Sequence, residues 1–209
     1  MPAGYRQRVE TMIASLQAAP EIEVTRSALE FPATPAKLAT AKRFANGPLP
    51  DGLEDFCSAL NGFTVAWRHI HPAIAKGDDR DTGSINLLPI ERIFADWHGT
   101  TWFDAVPGSD RFRNVKPFDL FQPEACIAFL QEPGEPPSNH VAYHYFGESL
   151  TPTGYGFPAY LERLLASRGT WGWQQTLLLE MTDSDAAEHC RKTIATLFPE
   201  VDLSLFRPA

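Results

Sequence analysis

The chain has 209 residues and a formal net charge of −8, with 44% hydrophobic and 21% charged residues. This composition is typical of a globular protein and excludes a largely disordered chain. No apolar run approaches the ~18 residues that a transmembrane helix needs. Arg6, Arg8 and Glu10 occupy the place where a signal peptide has its apolar core. We therefore expect a cytoplasmic protein that does not bind a membrane.

The charge is divided unevenly along the chain. Residues 1–117 contain 14 acidic and 13 basic residues, whereas residues 118–209 contain 12 acidic and 5 basic residues, a net charge of −7. This acidic half would repel phosphate groups, so we expect no nucleic-acid partner. A basic protein is the electrostatically favoured partner. The alternative is an acidic surface that only maintains solubility.

Helical spacing of apolar residues predicts three helices before residue 61. The predicted elements, in chain order, are a helix over 5–16, a mixed and partly extended segment over 21–34, a helix that begins at Pro35 and ends before Gly47, and a helix over 49–60 that ends at Asn61-Gly62. Pro35 follows Thr34, which is a candidate N-cap residue. The Asn61-Gly62 pair is typical of a left-handed helix stop.

The remaining chain alternates between strand patterns, loops and helices. Short apolar runs and period-two patterns predict strands over 63–68, 85–88, 125–130 and 140–146. We interpret 71–82, 98–114 and 147–156 as loops. The apolar stripe over 157–167 predicts a helix, and 171–181 with 183–197 predict a further helical pair.

Two groups of polar residues could hold a metal ion, but each has a stronger alternative. His69 and His71 would share one face of a strand, yet no acidic residue or cysteine lies near them in sequence. Asp78, Asp79 and Asp81 resemble part of a calcium loop but lack its central glycine and terminal glutamate. We therefore interpret this segment as an exposed acidic loop.

No catalytic or cofactor motif accompanies these elements. The chain contains no G-x-S-x-G, no P-loop and no G-x-G-x-x-G. Cys57, Cys126 and Cys190 are an odd set without a C-x-x-C pair, which argues against a disulfide framework or a zinc site. We therefore predict that the protein is not an enzyme and holds neither metal nor cofactor.

Three stretches of sequence together resemble a known family. They are L-P-D-G-L-E-D-F-C-S-A-L-N-G at 49–62, G-S-I-N-L-L-P-I-E-R-I at 83–93, and G-F-P-A-Y-L-E-R-L-L at 156–165. This pattern is similar to the SUKH superfamily, which includes a fungal cell-wall synthesis regulator and many bacterial toxin-immunity proteins. The insert at 98–114 departs from the compact form of the pattern.

The resemblance implies an α+β fold with a central, mostly antiparallel sheet and helices packed on one side. It implies a single domain over 1–209, with a core of about 35–167, a helical N-terminal extension over 1–34 and a helical C-terminal extension over 168–209. For bacterial members it implies an immunity protein that binds a cognate secreted toxin and occludes its active site without catalysis. The family has no fixed catalytic residues that could be transferred to this chain.

Two other functions remain open from the sequence. One is a small-ligand-binding or enzymatic domain that uses the strand end at His69 and His71. The other is an intracellular regulatory scaffold. An acidic face around exposed aromatic residues would favour the immunity protein, whereas a pocket with converging polar groups would favour the ligand-binding domain.

The predicted partner-binding residues combine acidic side chains that steer a basic toxin with aromatic side chains that anchor it. They are Asp78, Asp79, Asp81, Trp97, Trp102 and Glu148. Rim charges raise association rates, and buried aromatic residues slow dissociation. The face carrying Asp183, Asp185 and Glu188 is the next candidate, because it belongs to the acidic half of the chain.

Overall fold

The computed structural model describes residues 3–70 and 80–209. Its six α-helices are α1 (Ala3–Ala18), α2 (Pro35–Phe44), α3 (Leu53–Ala59), α4 (Ile90–Ile93), α5 (Phe157–Ser167) and α6 (Asp185–Leu197). Its seven strands are β1 (Ile22–Leu29), β2 (Phe63–His69), β3 (Thr82–Leu87), β4 (Val115–Gln122), β5 (Ala125–Leu130), β6 (His140–Tyr145) and β7 (Ser149–Gly156). Short 3₁₀ helices cover Ser109–Phe112, Trp173–Leu177 and Leu203–Leu205.

The seven strands form one antiparallel sheet in which each strand pairs with its sequence neighbours, in the order β1 to β7. The predicted α+β fold with a mostly antiparallel sheet is therefore confirmed. The predicted helix over 157–167 is present as α5. Its apolar face is buried through Phe157, Leu161 and Leu164, which pack in the main core.

Two edge strands were missed or only partly recognised in the sequence. Residues 22–29 form edge strand β1 and pair with β2, so the predicted N-terminal extension is not wholly helical. Residues 149–156 form edge strand β7 and not the predicted loop. Both strands are mostly exposed or half-buried, and Pro152 lies within β7. Edge strands need no strict apolar alternation and tolerate proline, which explains why the pattern failed.

One hydrophobic cluster lies on the face of the sheet that the helices cover, and it contains residues from both ends of the described chain. Leu16 from the predicted N-terminal extension and Phe206 from the predicted C-terminal extension are buried in it together with Phe63, Phe129 and Leu161. The hydrophobic core thus extends beyond residues 35–167 at both ends. The first and last segments bury apolar surface that the sheet would otherwise expose to water.

The insert at 98–114 covers the opposite face of the sheet. Phe112 from the insert packs with Val115 of β4 and with Cys126 and Ala128 of β5, and Trp102 lies against this second cluster. This half of the sheet is therefore covered on both faces, which explains the uninterrupted apolar sequence of β5.

Across residues 3–70 and 80–209, no helix has both the length and the hydropathy that a membrane-spanning helix requires.

The helix-stop motif and the strand-to-helix motif of the sequence pack directly against each other. The side-chain oxygen of Asn61 accepts a hydrogen bond from the backbone N–H of Ile90 at 2.9 Å, and its amide donates to Glu91 at 2.9 Å. Gly62 has φ of 101°, and a Cβ there would lie 2.6 Å from the carbonyl oxygen of Leu87. Asn61 therefore caps α4, and Gly62 permits the close approach of β3.

Candidate functional site

Trp97 is part of the core, so it cannot anchor a partner at the surface as predicted. Its side chain packs in the main hydrophobic cluster with only 7% exposure, and its indole N–H donates to the carbonyl of Ile93 at 3.1 Å. Ile90, Ile93, Phe94 and Trp97 are spaced as one helical stripe. This spacing indicates burial and could have excluded Trp97 as an anchor.

Trp102 lies half-buried at the surface of the insert, in a layer of polar residues. The guanidinium of Arg113 stacks 4.2 Å above its ring, and the ring of His98 lies 4.5 Å away. Nε2 of His98 is 3.0 Å from a carboxylate oxygen of Asp104. Trp102 is therefore available in part to a partner, although a cation already occupies one face of its ring.

Glu148 also borders the insert and is exposed. Its backbone carbonyl accepts a hydrogen bond from the guanidinium of Arg111 at 3.1 Å, which ties the β6–β7 turn to the insert. Among the predicted interface residues that the structure describes, Trp102 thus lies in the insert and Glu148 borders it.

Asp81 is directed towards α6. Its side chain is only 12% exposed, and Oδ1 lies 2.9 Å from Nε2 of His189 and accepts a hydrogen bond from the hydroxyl of Thr193 at 3.3 Å. Asp81 therefore holds the start of β3 against α6 and cannot steer a partner as predicted. Asp78 and Asp79, together with His71, lie outside the described residues.

A small cavity adjoins this ion pair at the end of β2. It has a volume of about 150 Å³ and is lined by His69, Asp81, His189 and Lys192 among others. His69 comes from the strand end singled out in the sequence, whereas His189 lies 108 residues beyond Asp81 in the chain. No sequence signal predicted that α6 would complete this cluster.

Asp81→Asn and His189→Gln should destabilise the protein non-additively. Hydrogen bonds to charged groups contribute about 1.5–3 kcal/mol when buried, and this pair is mostly buried, so we expect a coupling free energy of about 1 kcal/mol. The measurement is urea unfolding of the two single variants and the double variant. Strict additivity would mean that the contact contributes nothing to stability.

The segment between α5 and α6, together with the start of α6, forms an acidic surface. We define it as Trp171, Leu179, Glu180, Asp183, Asp185 and Glu188. Leu179 is 81% exposed, Trp171 is half-buried, and all four carboxylates are exposed. Residues 171–188 contain these four acids and no basic residue. Three of the acids belong to the face that the sequence indicated as its second choice.

Local packing holds the acidic surface in place. Gly172 has φ of 81° and lies against α6, where an added Cβ would be 2.7 Å from the carbonyl oxygen of Ala186. Ser184 caps α6 by accepting a hydrogen bond from the backbone N–H of Ala187 at 3.2 Å. The guanidinium of Arg191 donates to the carbonyl of Thr182 at 2.7 Å. The carboxylates are therefore presented from an ordered turn and helix start, which also favours Asp185 and Glu188 electrostatically.

Charge on this surface is partly compensated at one edge. The Lys192 ammonium, 2.7 Å from Glu188, holds the pKa of that carboxyl below its ordinary value. Glu180, Asp183 and Asp185 come from the same segment as the exposed Leu179. These carboxylates can attract a cationic surface, and the exposed Leu179 can contact an apolar group.

Asp119 has a raised pKa, in contrast to Glu188, because it is fully buried in β4. Burial raises the pKa of its carboxyl to about 6, although hydrogen bonds from the hydroxyl of Tyr160 at 2.7 Å and from the backbone N–H of Asn86 at 3.2 Å favour the charged form. Asp119 is closed off from solvent and packs against the helices, so its role is within the fold.

Metal-ligating side chains are not clustered in the described part of the chain. Among residues 3–70 and 80–209, no three His, Cys, Asp or Glu side chains lie close enough together to hold a metal ion. The three cysteines are buried free thiols. No model of a known protein family matches the sequence, and no curated protein is significantly similar to it. The surface chemistry of the chain therefore carries the functional argument.

Proposed function

We propose that this chain is an immunity protein that binds a basic protein toxin in the cytoplasm and occludes the active site of the toxin without catalysis. The observation that carries the proposal is the acidic surface, because residues 171–188 contain an exposed leucine, a half-buried tryptophan and four exposed carboxylates without a basic residue. The resemblance of three sequence stretches to the SUKH superfamily leads to the same expectation.

In the proposed complex, electrostatic attraction and apolar contact would both contribute to binding. Carboxylates at the rim of an interface accelerate the encounter with a basic partner, and this effect decreases as salt screens the charges. Apolar and aromatic groups at the centre lose contact with water on binding and slow dissociation. A toxin that acts on a phosphate-bearing or otherwise acidic substrate has a basic cleft, and four carboxylates would occupy that cleft in place of the substrate.

The direct test is co-expression with the protein encoded by the adjacent upstream gene. If that protein is toxic when expressed alone, we expect this chain to restore growth and to form a 1:1 complex with it. Catalytic turnover is not needed for this effect, so protection should depend on stoichiometric amounts of the chain. Failure to protect and failure to form a complex would together contradict the proposal.

Neutralising the acidic surface should weaken binding mainly through the association rate. The variant Glu180→Gln/Asp183→Asn/Asp185→Asn/Glu188→Gln should slow association by about tenfold or more at low ionic strength and flatten its salt dependence. Leu179→Ala should instead accelerate dissociation, because its side chain is 81% exposed in the free protein and would be buried in the complex. Surface plasmon resonance with the toxin measures both rates.

The insert provides the matched comparison for these variants. Trp102→Ala combined with Glu148→Gln removes two residues of the interface predicted from sequence that the structure describes as accessible. We expect this variant to bind the toxin as the unmodified chain does. A loss of about 2 kcal/mol in the insert variant, with unchanged kinetics in the acidic-surface variants, would place the interface on the insert. Circular dichroism must first establish that each variant is folded.

A small-ligand-binding domain is the second candidate function. The cavity of about 150 Å³ beside His69, Asp81 and His189 favours it, because polar groups from distant parts of the chain converge there. A toxin-neutralising role leaves this cavity unused. Loss of toxin protection in Asp81→Asn, when the variant remains folded and still binds the toxin, would favour the ligand-binding function.

A further inference from the structure

A cavity lined by cations lies beside the insert, although the protein as a whole is acidic. The cavity has a volume of about 470 Å³ and is bounded by the end of α2, the 3₁₀ helix of the insert, the start of β4 and the residues after β5. Arg111, Arg113 and Lys116 contribute three positive charges to it from six consecutive positions. Such a concentration of cations is unexpected in a chain with a net charge of −8.

Aromatic rings hold both guanidinium groups in place. The guanidinium of Arg111 lies 4.5 Å from the ring of Phe112, and that of Arg113 lies 4.2 Å from the ring of Trp102. Stacking engages the flat face of a guanidinium and leaves N–H donors at its edge. The two groups are therefore ordered in advance, which lowers the entropic cost of binding an anion.

Among residues 3–70 and 80–209, no carboxylate forms an ion pair with the third cation. Lys116 donates from Nζ to the carbonyl oxygen of Ala95 at 3.2 Å. Burial lowers the pKa of its ammonium, and the more distant charge of Asp96 offsets this only in part. An anion in the cavity would compensate this charge.

Two carboxylates also line the cavity, and one of them is already engaged. Glu132 accepts a hydrogen bond from the side-chain amide of Asn114 at 2.8 Å, and Asp110 is the second acid. Outside the lining, Asp104 lies 4.0 Å from Arg113, at the limit of an ion pair. The cations of the lining thus outnumber its acids by three to two, which favours an anionic ligand.

An exposed aromatic ring forms part of the same wall. Phe44, the last residue of α2, is 58% exposed, and its backbone carbonyl is fixed by a hydrogen bond from the side chain of Gln131 at 3.0 Å. The guanidinium of Arg43 lies 5.8 Å from the centre of this ring, and the exposed remainder of the ring offers a stacking surface for a flat ligand. The exposed part of this ring does not stabilise the fold, because its apolar surface remains in contact with water.

We propose that this cavity binds a small phosphate-bearing molecule with a flat heterocyclic ring, the chemistry of a nucleotide, with its phosphate on Arg111, Arg113 and Lys116 and its ring on Phe44. The volume lies within the range of small-molecule sites, and a concave wall suits such a ligand better than a flat protein surface. None of these residues belongs to the acidic surface, so the inference is independent of the toxin-neutralising function.

The test is calorimetric titration of the folded full-length chain at low ionic strength with ADP, adenosine and inorganic phosphate. We expect ADP to bind more tightly than either fragment, since it alone engages both the cations and the ring. Arg111→Gln/Arg113→Gln should weaken ADP binding at least about tenfold through the loss of charge-assisted hydrogen bonds. Arg26→Gln/Arg207→Gln removes two exposed guanidiniums elsewhere and should leave the affinity unchanged.

Phe44→Ala separates the two parts of the proposed site. This variant should weaken ADP binding and leave the binding of inorganic phosphate unchanged. The proposal is overturned if ADP fails to bind at millimolar concentration, or if Arg111→Gln/Arg113→Gln binds it as the unmodified chain does. Equal weakening by both arginine pairs would also overturn it, because attraction would then reflect total charge and no particular cavity.

Discussion

Replacing Gly83 by alanine should destabilise the protein by more than about 3 kcal/mol. A Cβ at this position would lie 2.1 Å from Nε1 of Trp67 and 2.3 Å from its Cε2. Trp67 cannot move aside easily, because it is only 2% exposed and its indole N–H donates to the carbonyl of Arg168 at 2.7 Å. Overpacking costs about 1–3 kcal/mol, and the loss of a buried hydrogen bond adds about 1–3 kcal/mol. Urea unfolding provides the measurement.

Gly4→Ala is the matched control for this prediction. Gly4 lies in α1, and no heavy atom would come within 4 Å of its added Cβ. Alanine has a higher helix propensity than glycine, so the change should be neutral or stabilising by up to about 1 kcal/mol. If the two alanine variants had equal stability, the close approach of Trp67 to β3 would not constrain position 83.

Asp119→Asn should remove a pH dependence of about 3 kcal/mol from the free energy of unfolding. Burial raises the pKa of this carboxyl from an ordinary 3.8 to about 6 in the folded protein. Between these two values the folded state binds a proton that the unfolded state does not. The stability from this group is therefore full below pH 3.8, decreases as pH rises and is lost above about pH 6.

The size of the effect follows from the shift between the two states. Each pKa unit corresponds to about 1.4 kcal/mol, and the shift is about two units. The asparagine variant buries no charge, so its stability relative to the unmodified chain should increase between pH 4 and pH 8 by this amount. Its amide oxygen can still accept from the Asn86 N–H, but its NH₂ group cannot accept the hydrogen bond from the Tyr160 hydroxyl, and this loss lowers the stability of the variant at every pH.

Chemical unfolding of both proteins at several pH values between 4 and 8 tests this prediction. The relevant quantity is the difference between the two proteins, since all other titrating groups cancel in it. Asp183→Asn removes one exposed carboxylate and serves as the control. A difference that stays constant across this pH range would show that the carboxyl of Asp119 titrates at an ordinary pKa.

The predictions of partner-binding residues were wrong for side chains that were expected to be exposed but are buried. Trp97 and Trp102 are five residues apart and both follow α4, yet the first is buried in the core and the second lies at the surface of the insert. Helical spacing with Ile90 and Ile93 was the signal that distinguishes them. Asp81 appeared to belong to a solvated loop, but its partner His189 is 108 residues away in sequence. No local pattern can indicate such a pairing.

The amino-acid sequence by itself determined the elements whose pattern is local. The apolar stripe of α5 and the alternating residues of β2 each bury one side of a short segment, and β5 is an apolar run that is buried on both sides. Thr34 caps α2 immediately before Pro35. Because propensity, capping and burial act together within a few residues there, their type and approximate bounds were predictable. The uneven charge was also directly countable.

Only the tertiary structure decided which segments meet. Edge strands β1 and β7 are specified by pairing with β2 and β6, and the insert is ordered by covering the second face of the sheet. The cation-lined cavity likewise joins α2 to residues almost 70 positions later in the chain. These contacts depend on the register and closure of the whole sheet, which are set by long-range burial and hydrogen bonding and leave no periodic signal in a short stretch of sequence.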